Sequence, residues 1–501
     1  MPSRRTVLPI EIVADDAPTT SYAGVLPYLE LWGRLGMPRL IDERVGICGR
    51  QGWTDGQMVL ALVLLNLAGG GCMTDMEQLE ADAGLCEMVR TLEVSGLHRK
   101  QRQALAARWR GGRSRSLPAA TQIASFLEAC HDEGAEAKRV AGRAFIPAAN
   151  VHLRSLQGLN TGLVARLQGA DAQTVATLDG DASLVQTNKR TALFSYQHTR
   201  AYQPYSVWWA EQEVVLHSQF RDGNVPAGFG IIGVVAEALA MLPAGVQQVF
   251  TRQDSAAYQT DFLVWCERER EHPQYGRILF SVSVDVTAEF RAAALAADEW
   301  TPEYRRVGGR CEPTGREWAE VVFVPNSHAL LSEIEPFRYV AVRERLGDQL
   351  ALLDENALPF QTITVDQIPY KLHGIVTNRR EMPAAELVHW HYRRCGKSEE
   401  AHAIMKEDFA GGILPSAKFG ANAAWWALMV LAMNLNRLLR GLMGEGWKSK
   451  RMKAIRYALL VHPGRLVSHA RRLSLRCAAA VAAWLARLRV AVAALVCQPV
   501  T

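Results

Sequence analysis

The strand predicted over residues 174–187 most constrains the fold of this chain, because it carries two carboxylates on one face. Its side chains alternate with period two, so Asp179 and Asp181 lie on one face and Leu178 lies on the other. Carboxylates on an otherwise apolar strand are costly to bury unless a cation or a water-filled cleft receives them. The pattern therefore favours a functional site on this strand.

The elements after this strand predict an α/β sheet with the order βββαβαβ. Periodicity predicts strands over 206–210 and 213–220, a helix over 231–242, a strand over 246–251, a helix from Asp254 to about 269 and a strand over 278–284. Asp254 follows a strand at its carboxyl end, where open α/β sheets place ligands. An aspartate there is also a common helix N-cap, so both interpretations stay open.

A third acid lies in the stretch 388–406. Read as a helix from about Ser398, this stretch places Glu399 and Lys406 two turns apart on one face. Such a pair is usually a solvated helix face, so Glu399 needs partner carboxylates from elsewhere. The basic residues just before it, Arg393 and Arg394, could hold phosphate.

The three acids together suit metal-dependent phosphoryl transfer. If Asp181 (or Asp179), Asp254 and Glu399 converge, they would hold two Mg²⁺ ions, with Mn²⁺ as an alternative, about 3.5–4 Å apart. One ion would activate a water or a 3′-hydroxyl, and the other would stabilise the leaving oxygen. No covalent nucleophile is needed, because metals and positioning carry the reaction.

Basic segments indicate a polyanionic partner. Residues 99–115 hold seven Lys/Arg and no acid, and residues 437–476 hold eleven Lys/Arg against one Glu. Solvated helix faces are the alternative for each block. The helices predicted over residues 22–130 could form a helix-turn-helix-like DNA reader or a dimerising bundle, and the sequence favours neither.

Other classes are weakly supported. The nine cysteines form no CxxC pair, so we predict reduced thiols in a cytoplasmic protein and no zinc site. No signal peptide is evident, and Arg487 and Arg489 interrupt the apolar run 477–497, which predicts a packed helix and no membrane partner. His389 and His391 read as surface and core histidines. The Gly396–Ser398 triplet lacks the first glycine of a Walker A loop.

The ordered set of motifs resembles the DDE transposases of bacterial insertion sequences, in the branch with a β-rich insertion before the last carboxylate. The matching motifs are Leu-Asp-Gly-Asp-Ala-Ser at 178–183, Arg-Asp-Gly-Asn at 221–224, Arg-Gln-Asp-Ser at 252–255 and a Tyr392/Glu399/Lys406 signature. The family signature has an Arg where this chain has Cys395, so Arg393 or Arg394 would supply the guanidinium from a shifted register. The family's first motif aligns with Asp181, and Asp179 is the alternative.

The resemblance implies an RNase H-like mixed sheet flanked by helices, interrupted by a β-rich insertion, with helical N- and C-terminal regions. We expect a helical DNA-binding or dimerisation region over 1–165, core segments over 170–283 and 377–436, an insertion domain over 284–376 and a basic helical region over 437–501. Metal ligands would be Asp181, Asp254 and Glu399, and phosphate contacts would be Tyr392, Arg393, Arg394 and Lys406.

The resemblance also implies the partners and the reaction. A homodimer would bind double-stranded DNA, at terminal inverted repeats and target sites, in the bacterial cytoplasm and on the nucleoid, and would catalyse cut-and-paste transposition. Trp300 or Trp318 of the insertion could stack on a flipped base, although a core Trp is the commoner case. The alternatives are another two-metal nuclease on the same fold and a non-catalytic DNA-binding relic.

Overall fold

A ten-stranded mixed sheet organises the protein in this computed structural model. The structure describes residues 18–325, 334–347, 358–395, 397–470 and 472–495, without the side chains of residues 307 and 397–399. The strands are β1 Thr19–Thr20, β2 Val175–Ala182, β3 Val185–Gln186, β4 Ala201–Tyr202, β5 Tyr205–Trp209, β6 Val214–Gln219, β7 Gln248–Gln253, β8 Leu279–Val284, β9 Thr301–Val307, β10 Arg310–Val321, β11 Arg338–Arg345, β12 Thr362–Val365, β13 Ile368–Thr377, β14 Gly464–His469 and β15 Arg472–Arg476.

One half of the large sheet has the order β6-β5-β2-β7-β8. Strands β2, β5 and β6 form an antiparallel meander, whereas β7 pairs parallel with both β2 and β8. This order and these directions are those of an RNase H-like core, so the predicted fold class is confirmed. The predicted strand over 174–187 differs in one respect: it divides into β2 and β3, because the chain turns out of the sheet at Ser183, whose backbone N–H donates to Pro204.

The predicted β-rich insertion continues the same sheet. Strand β13 pairs antiparallel with β8, and β11, β10 and β9 follow in that order, with β12 on β13. Among its described residues the segment also contains a helix that was not predicted, Ala288–Leu295, whose N-cap Thr287 accepts a hydrogen bond from the backbone N–H of Phe290 at 3.3 Å.

Helices cover the sheet and form the N-terminal region. They are α1 Leu26–Arg34, α2 Met37–Arg44, α3 Asp55–Ala68, α4 Met76–Glu80, α5 Ala83–Val94, α6 Arg99–Ala106, α7 Ala120–Glu128, α8 Glu133–Glu136, α9 Val151–Ala170, α10 Ile231–Ala240, α11 Thr260–Glu267, α12 Ala288–Leu295, α13 Ala384–Tyr392, α14 Lys397–Ala403, α15 Phe419–Met443, α16 Glu445–Lys448, α17 Met452–Ile455 and α18 Ala479–Ala494. A capping box begins α3: Thr54 and Gln57 exchange backbone-to-side-chain hydrogen bonds at 3.0 and 3.2 Å.

Helix α15 joins the N-terminal helices to the sheet. It is buried along most of its 25 residues and packs against α3, α7 and α9 on one side and β6 on the other. Asn434 near its middle accepts from the backbone N–H of Val215 in β6 and donates to Asn160 of α9 at 2.7 Å. Satisfied buried amides of this kind fix the register of the packed elements.

The first basic block is only partly paired within the protein. Arg108 donates to three backbone carbonyl oxygens, Arg113 pairs with Glu93, and Arg115 pairs with Glu77 at 2.9 Å. The other four cations of the block are exposed, three on α6 and Arg110 after it. Part of the charge that suggested a polyanion partner is therefore structural.

The second basic block behaves in the same way. Arg437 pairs with Glu213 and Arg451 pairs with Asp408, both at 2.9 Å, while Arg456 donates to the carbonyl oxygen of Leu67. The block is also not wholly helical as expected: β14 and β15 form a hairpin that pairs with β1. Alternation of apolar and polar residues, with Leu466 buried, is the physical reason for this strand.

Among the described residues, no single helix has both the length and the apolar composition for a bilayer crossing, and only the pair Asp55–Ala68 and Met73–Glu80, bent by 95°, reaches those values together.

Candidate active site

Two neighbouring parallel strands, β2 and β7, bring charged side chains together at two successive levels. At the first level Asp179 lies opposite Arg252. Both oxygens of Asp179 accept hydrogen bonds from this guanidinium, at 2.7 Å from Nε and 2.6 Å from Nη2, and both side chains are buried. Burial raises the pKa of Asp179, and Arg252 partly offsets that shift. Asp179, the alternative first carboxylate, is therefore the partner of a buried cation.

At the second level both positions are occupied by acids. Asp181 and Asp254 each follow the first pair by two residues, so they share its sheet face at the carboxyl ends of strands about 4.8 Å apart. Asp254 also caps a short 3₁₀ turn, accepting from the backbone N–H of Ala256 at 3.1 Å. The capping interpretation of Asp254 is therefore confirmed, and its role as a ligand stays a prediction.

Tyr205 on β5 lies near the two acids but on the opposite face of the sheet, because its strand partner is Ala182 whereas that of Asp181 is Ser206. Its hydroxyl donates to Gln253 at 2.7 Å, and its pKa lies well above the ordinary value, first because it is fully buried and then because Asp254 and Asp181 are nearby. A Cβ at Gly180 would come within 2.5 Å of the Tyr205 hydroxyl, so glycine at 180 leaves room for the hydrogen bond between Tyr205 and Gln253.

Arg394 supplies positive charge between the acids. Its Nη1 lies 3.8 Å from Asp181 Oδ2, and its charge lowers the pKa of Asp254. That pKa is nevertheless raised overall, because burial disfavours the carboxylate and Asp285 adds like charge. Within the described part of the chain, the buried Nε of Arg394 has no hydrogen-bond partner. The second level therefore combines two acids with one nearby guanidinium.

Helix α13 and helix α14, which carries the third predicted acid, pack on this same face of the sheet. Helix α13 is held by Arg252, which donates to the carbonyl oxygen of Trp390 at 2.8 Å, and by His391, whose ring nitrogens lie 2.9 and 3.1 Å from the hydroxyls of Ser281 and Ser283. Burial, with nearby Arg394, lowers the pKa of His391 to about 3, so the ring is neutral. His391 is thus a core residue, as predicted.

Helix α14 approaches Asp181 directly. Nδ1 of His402 lies 4.0 Å from Asp181 Oδ2. Glu399 is the third residue of this helix, one turn before His402, and its side chain lies outside the described residues. The backbone of α14 therefore runs beside the first carboxylate.

The four predicted phosphate-binding residues lie in different environments. Tyr392 is packed against the hydrophobic core with the Arg316 guanidinium 4.6 Å above its ring, and burial raises its pKa. Arg393 is exposed at the mouth of a cavity of about 410 Å³, whereas Arg394 lies among the acids. Lys406 lies in a π-helical turn, Ile404–Asp408, with Nζ 3.5 Å from the carbonyl oxygen of Leu184.

The donor set fits a divalent metal ion as far as it is described. Among the side chains that the structure describes, no three His, Cys, Asp or Glu residues are grouped as metal ligands. Two carboxylates are present, however, and a bound cation would favour the ionised form of Asp254, whose pKa burial raises. Hard oxygen donors of this kind are those that Mg²⁺ and Mn²⁺ accept.

Some site residues were not found from sequence. Arg252 lies two residues before Asp254, just as Asp179 lies two before Asp181, so pairing the two motifs in parallel register would have indicated the first level. The insertion tryptophans are packed: Trp300 lies under the Arg343 guanidinium at 4.1 Å, and Trp318 packs against a hydrophobic cluster. The exposed aromatic residues near the site are at positions other than 300 and 318.

The C-terminal part of the chain is similar to a known protein family. Residues 362–496 match the family model described as Transposase DDE domain group 1, which supports a DDE transposase. The matched range includes Tyr392, Glu399 and Lys406 but not Asp181 or Asp254. A cryo-EM structure of the piggyBac transposase synaptic complex with hairpin DNA covers 87% of this chain and 79% of its own, at 10% identity and a TM-score of 0.39. No curated protein sequence matches this chain.

Proposed function

We propose that this protein is a DDE transposase that binds terminal inverted repeats and catalyses Mg²⁺-dependent DNA cleavage and strand transfer. The observation that carries the proposal is that Asp181 lies near the end of β2 and Asp254 directly follows β7, its parallel neighbour, with helix α14 beside Asp181. The family match over 362–496 includes that helix and supports the same reaction class.

In this proposal Asp181, Asp254 and Glu399 hold the divalent ions. Bound there, the ions would supply charge stabilisation and an activated oxygen nucleophile, the chemistry common to two-metal phosphoryl transfer. Asp181 is preferred to Asp179 because Asp179 is already neutralised by Arg252 through two short hydrogen bonds. The protein's part is to fix two carboxylates on rigid strands and to keep them ionised together.

The basic residues have separate roles. Arg394 lies close enough to Asp181 to bind a phosphate oxygen beside the ions, and exposed Arg393 would contact the DNA backbone further out. Lys406 would hold a phosphate beside the end of β2. Tyr392 is buried and covered by Arg316, so we assign it a role in positioning α13. We further propose a homodimer on DNA in the bacterial cytoplasm.

The test is strand transfer by the full-length protein. The substrate is a supercoiled plasmid that carries the DNA flanking the reading frame, incubated with Mg²⁺ and a target plasmid. We expect excised linear product and joined 3′ ends. Cleavage without joining would instead identify a two-metal nuclease, and DNA binding without cleavage would identify a relic.

A matched pair of variants on α14 locates the third acid. Glu399→Gln should remove both cleavage and joining, whereas Glu400→Gln, the neighbouring acid, should leave both near the wild-type level. Binding to the flanking DNA should be retained by both variants. Equal loss in both, or no loss in Glu399→Gln, would remove Glu399 from the site.

A further inference from the structure

A second cleft, of about 620 Å³, begins where β2 leaves the sheet. It starts immediately after Asp181 and ends at the π-helical turn that follows α14. The polar side chains that line it are those of Ser183, Gln186, Tyr196, Gln197, Gln203 and Lys406. None of these residues belongs to the carboxylate pair, so the cleft is a separate feature beside it.

One wall of the cleft is a chain excursion, residues 183–203, which leaves the sheet after β2 and returns at β5. It turns back on itself at residues 195–199, where the backbone N–H of Ser195 donates to Thr199 at 2.8 Å and His198 adopts a φ of 57°. Tyr196 at this tip is 71% exposed. A large aromatic side chain held out at the rim of a cleft is a typical contact for a partner.

The excursion is held firmly at its base. Arg200 donates to the carbonyl oxygen of Ala192 at 2.6 Å. Thr191 donates to the carbonyl oxygen of Ala417 at 2.6 Å, and Lys189 donates to that of Pro415 at 3.4 Å, both beyond α14. Tyr196 is therefore presented by a braced turn, which lowers the entropy lost when a flat ligand stacks on it.

Gln203 forms the inner wall of the cleft. It is only 6% exposed, and its Oε1 has no hydrogen-bond partner among the described residues. Buried polar atoms are nearly always paired, so an orphaned amide that lines a cleft indicates a ligand that pairs with it. Gln186 and Gln197 add two further amide groups to the same cleft.

These groups together match a nucleobase attached to its phosphate. An aromatic face stacks on any base, carboxamides pair with base edges, and a lysine binds the backbone phosphate. A volume of 620 Å³ is that of a small-molecule pocket, too small for a duplex but sufficient for one nucleotide. The position directly beyond Asp181 places such a nucleotide next to the carboxylates.

We propose that this cleft holds one unpaired nucleotide of the DNA strand that passes the carboxylates. Its base stacks on Tyr196, its edge pairs with the amide of Gln203, and its phosphate binds Lys406. This proposal rests on the proposed function, because it assumes DNA at Asp181 and Asp254. In this proposal the stacking residue is Tyr196, which is exposed, instead of Trp300 or Trp318, which are packed.

The test compares two DNA probes that bind the full-length protein without divalent ions, so that no cleavage occurs. One probe is a blunt duplex, and the other is the same duplex with a three-nucleotide single-stranded extension that contains 2-aminopurine. We expect the wild type to prefer the extended probe and to quench its fluorescence. Tyr196→Ala should reduce that preference roughly 5- to 150-fold, whereas Tyr196→Phe should keep it.

Tyr457 provides a matched control, because it is 86% exposed and lies outside the cleft. Tyr457→Ala should bind both probes as the wild type does. If Tyr196→Ala binds the blunt and extended probes with unchanged or equally reduced affinity, Tyr196 is not a stacking residue and the proposal is overturned.

Gln203 is tested by base identity. Extensions of A, C, G or T should bind the wild type with different affinities. Gln203→Leu should make the four affinities nearly equal without removing the preference for an extension. A thermal melt confirms that the variant is folded. If Gln203→Leu folds and keeps the wild-type ranking of the four bases, the amide does not read the base edge.

Failure of this proposal is distinguishable from failure of the proposed function. A protein that cleaves and joins DNA in Mg²⁺ while Tyr196→Ala binds like the wild type would lose the cleft assignment alone. A protein that never cleaves but still needs Tyr196 for extended DNA would lose the transposase assignment and keep the cleft as a single-strand binding site.

Discussion

The two levels of charge on β2 and β7 use the same strands and the same sheet face, yet their environments are opposite. At the first level Asp179 meets Arg252, both buried, with two short hydrogen bonds. At the second level, two residues further along, both positions are acids, Asp181 and Asp254, with Arg394 at 3.8 Å and His402 at 4.0 Å from Asp181.

The difference separates a structural ion pair from a functional site. An acid beside a base in the interior is neutralised, so removing either partner leaves an unpaired buried charge. An acid beside an acid at the end of the strands raises the free energy of the fold unless a cation is present. Proteins retain such arrangements where the cation takes part in function. The predictions below test this contrast, beginning with the largest expected effect.

Replacing either acid of the second level should remove catalysis. Asp181→Asn and Asp254→Asn keep the shape of the side chain but remove the charge that would hold a divalent ion. We expect strand cleavage to fall by at least about 10³-fold in each, measured as product formation on plasmid DNA under single-turnover conditions. DNA binding should persist. A variant that cleaves at the wild-type rate would contradict the distinction between a structural first level and a functional second level.

Replacing the acid of the first level should instead lower the free energy of unfolding. Asp179→Ala leaves Arg252 buried and unpaired, which costs about 3–5 kcal/mol. The measurement is the free energy of unfolding from urea denaturation. The double variant Asp179→Leu with Arg252→Met should recover most of that loss, because it removes both charges together. A stable single variant would show that Asp179 is not a structural partner.

The second level should also set a pH dependence of stability. Because the folded state raises the pKa of Asp254, it binds that proton more tightly than the unfolded state, so stability falls as pH rises through the folded pKa. Without divalent ions, Asp254→Asn should therefore melt a few degrees above the wild type at neutral pH, with the difference vanishing in acid. Adding Mg²⁺ should raise the melting temperature of the wild type only.

The smallest effect is expected outside both levels. Lys406→Ala removes one proposed phosphate contact, so it should weaken DNA binding a few-fold for all sequences and lower the salt slope by about 0.9. Titrations at several salt concentrations measure this slope. The exposed residue Lys453, replaced by Ala, is the control, since its nearest acid is Glu407 at 3.6 Å and it lies outside the cleft.

Much of the fold could be predicted because local patterns agree with the final structure. The alternation around Asp179 gives β2, and the element order gives the mixed sheet with β7 parallel to β2. What could not be predicted is long-range pairing. Arg252 is 73 residues from Asp179, and a cation that far along the chain gives no local signal.

The same limit affected the charge blocks and the C-terminal region. Arg451 and Arg456 read as a basic surface, yet their partners Asp408 and Leu67 lie 43 and 389 residues away. The hairpin β14–β15 is short, so its two-residue alternation is a weak signal beside the strongly helical pattern of the residues that follow. In the site, Asp181 and Asp254 could be named from motifs, whereas Tyr205 and His402 required the structure.

The braces from Lys189 and Thr191 to Pro415 and Ala417 have a thermodynamic consequence. They join the excursion after β2 to the segment that follows α14, so displacement of either segment is transmitted to the other. Linkage of this kind is reciprocal: if an occupant of the cleft tightens ion binding by some factor, the ions must tighten the occupant by that same factor. DNA loading and ion loading would then be mutually cooperative.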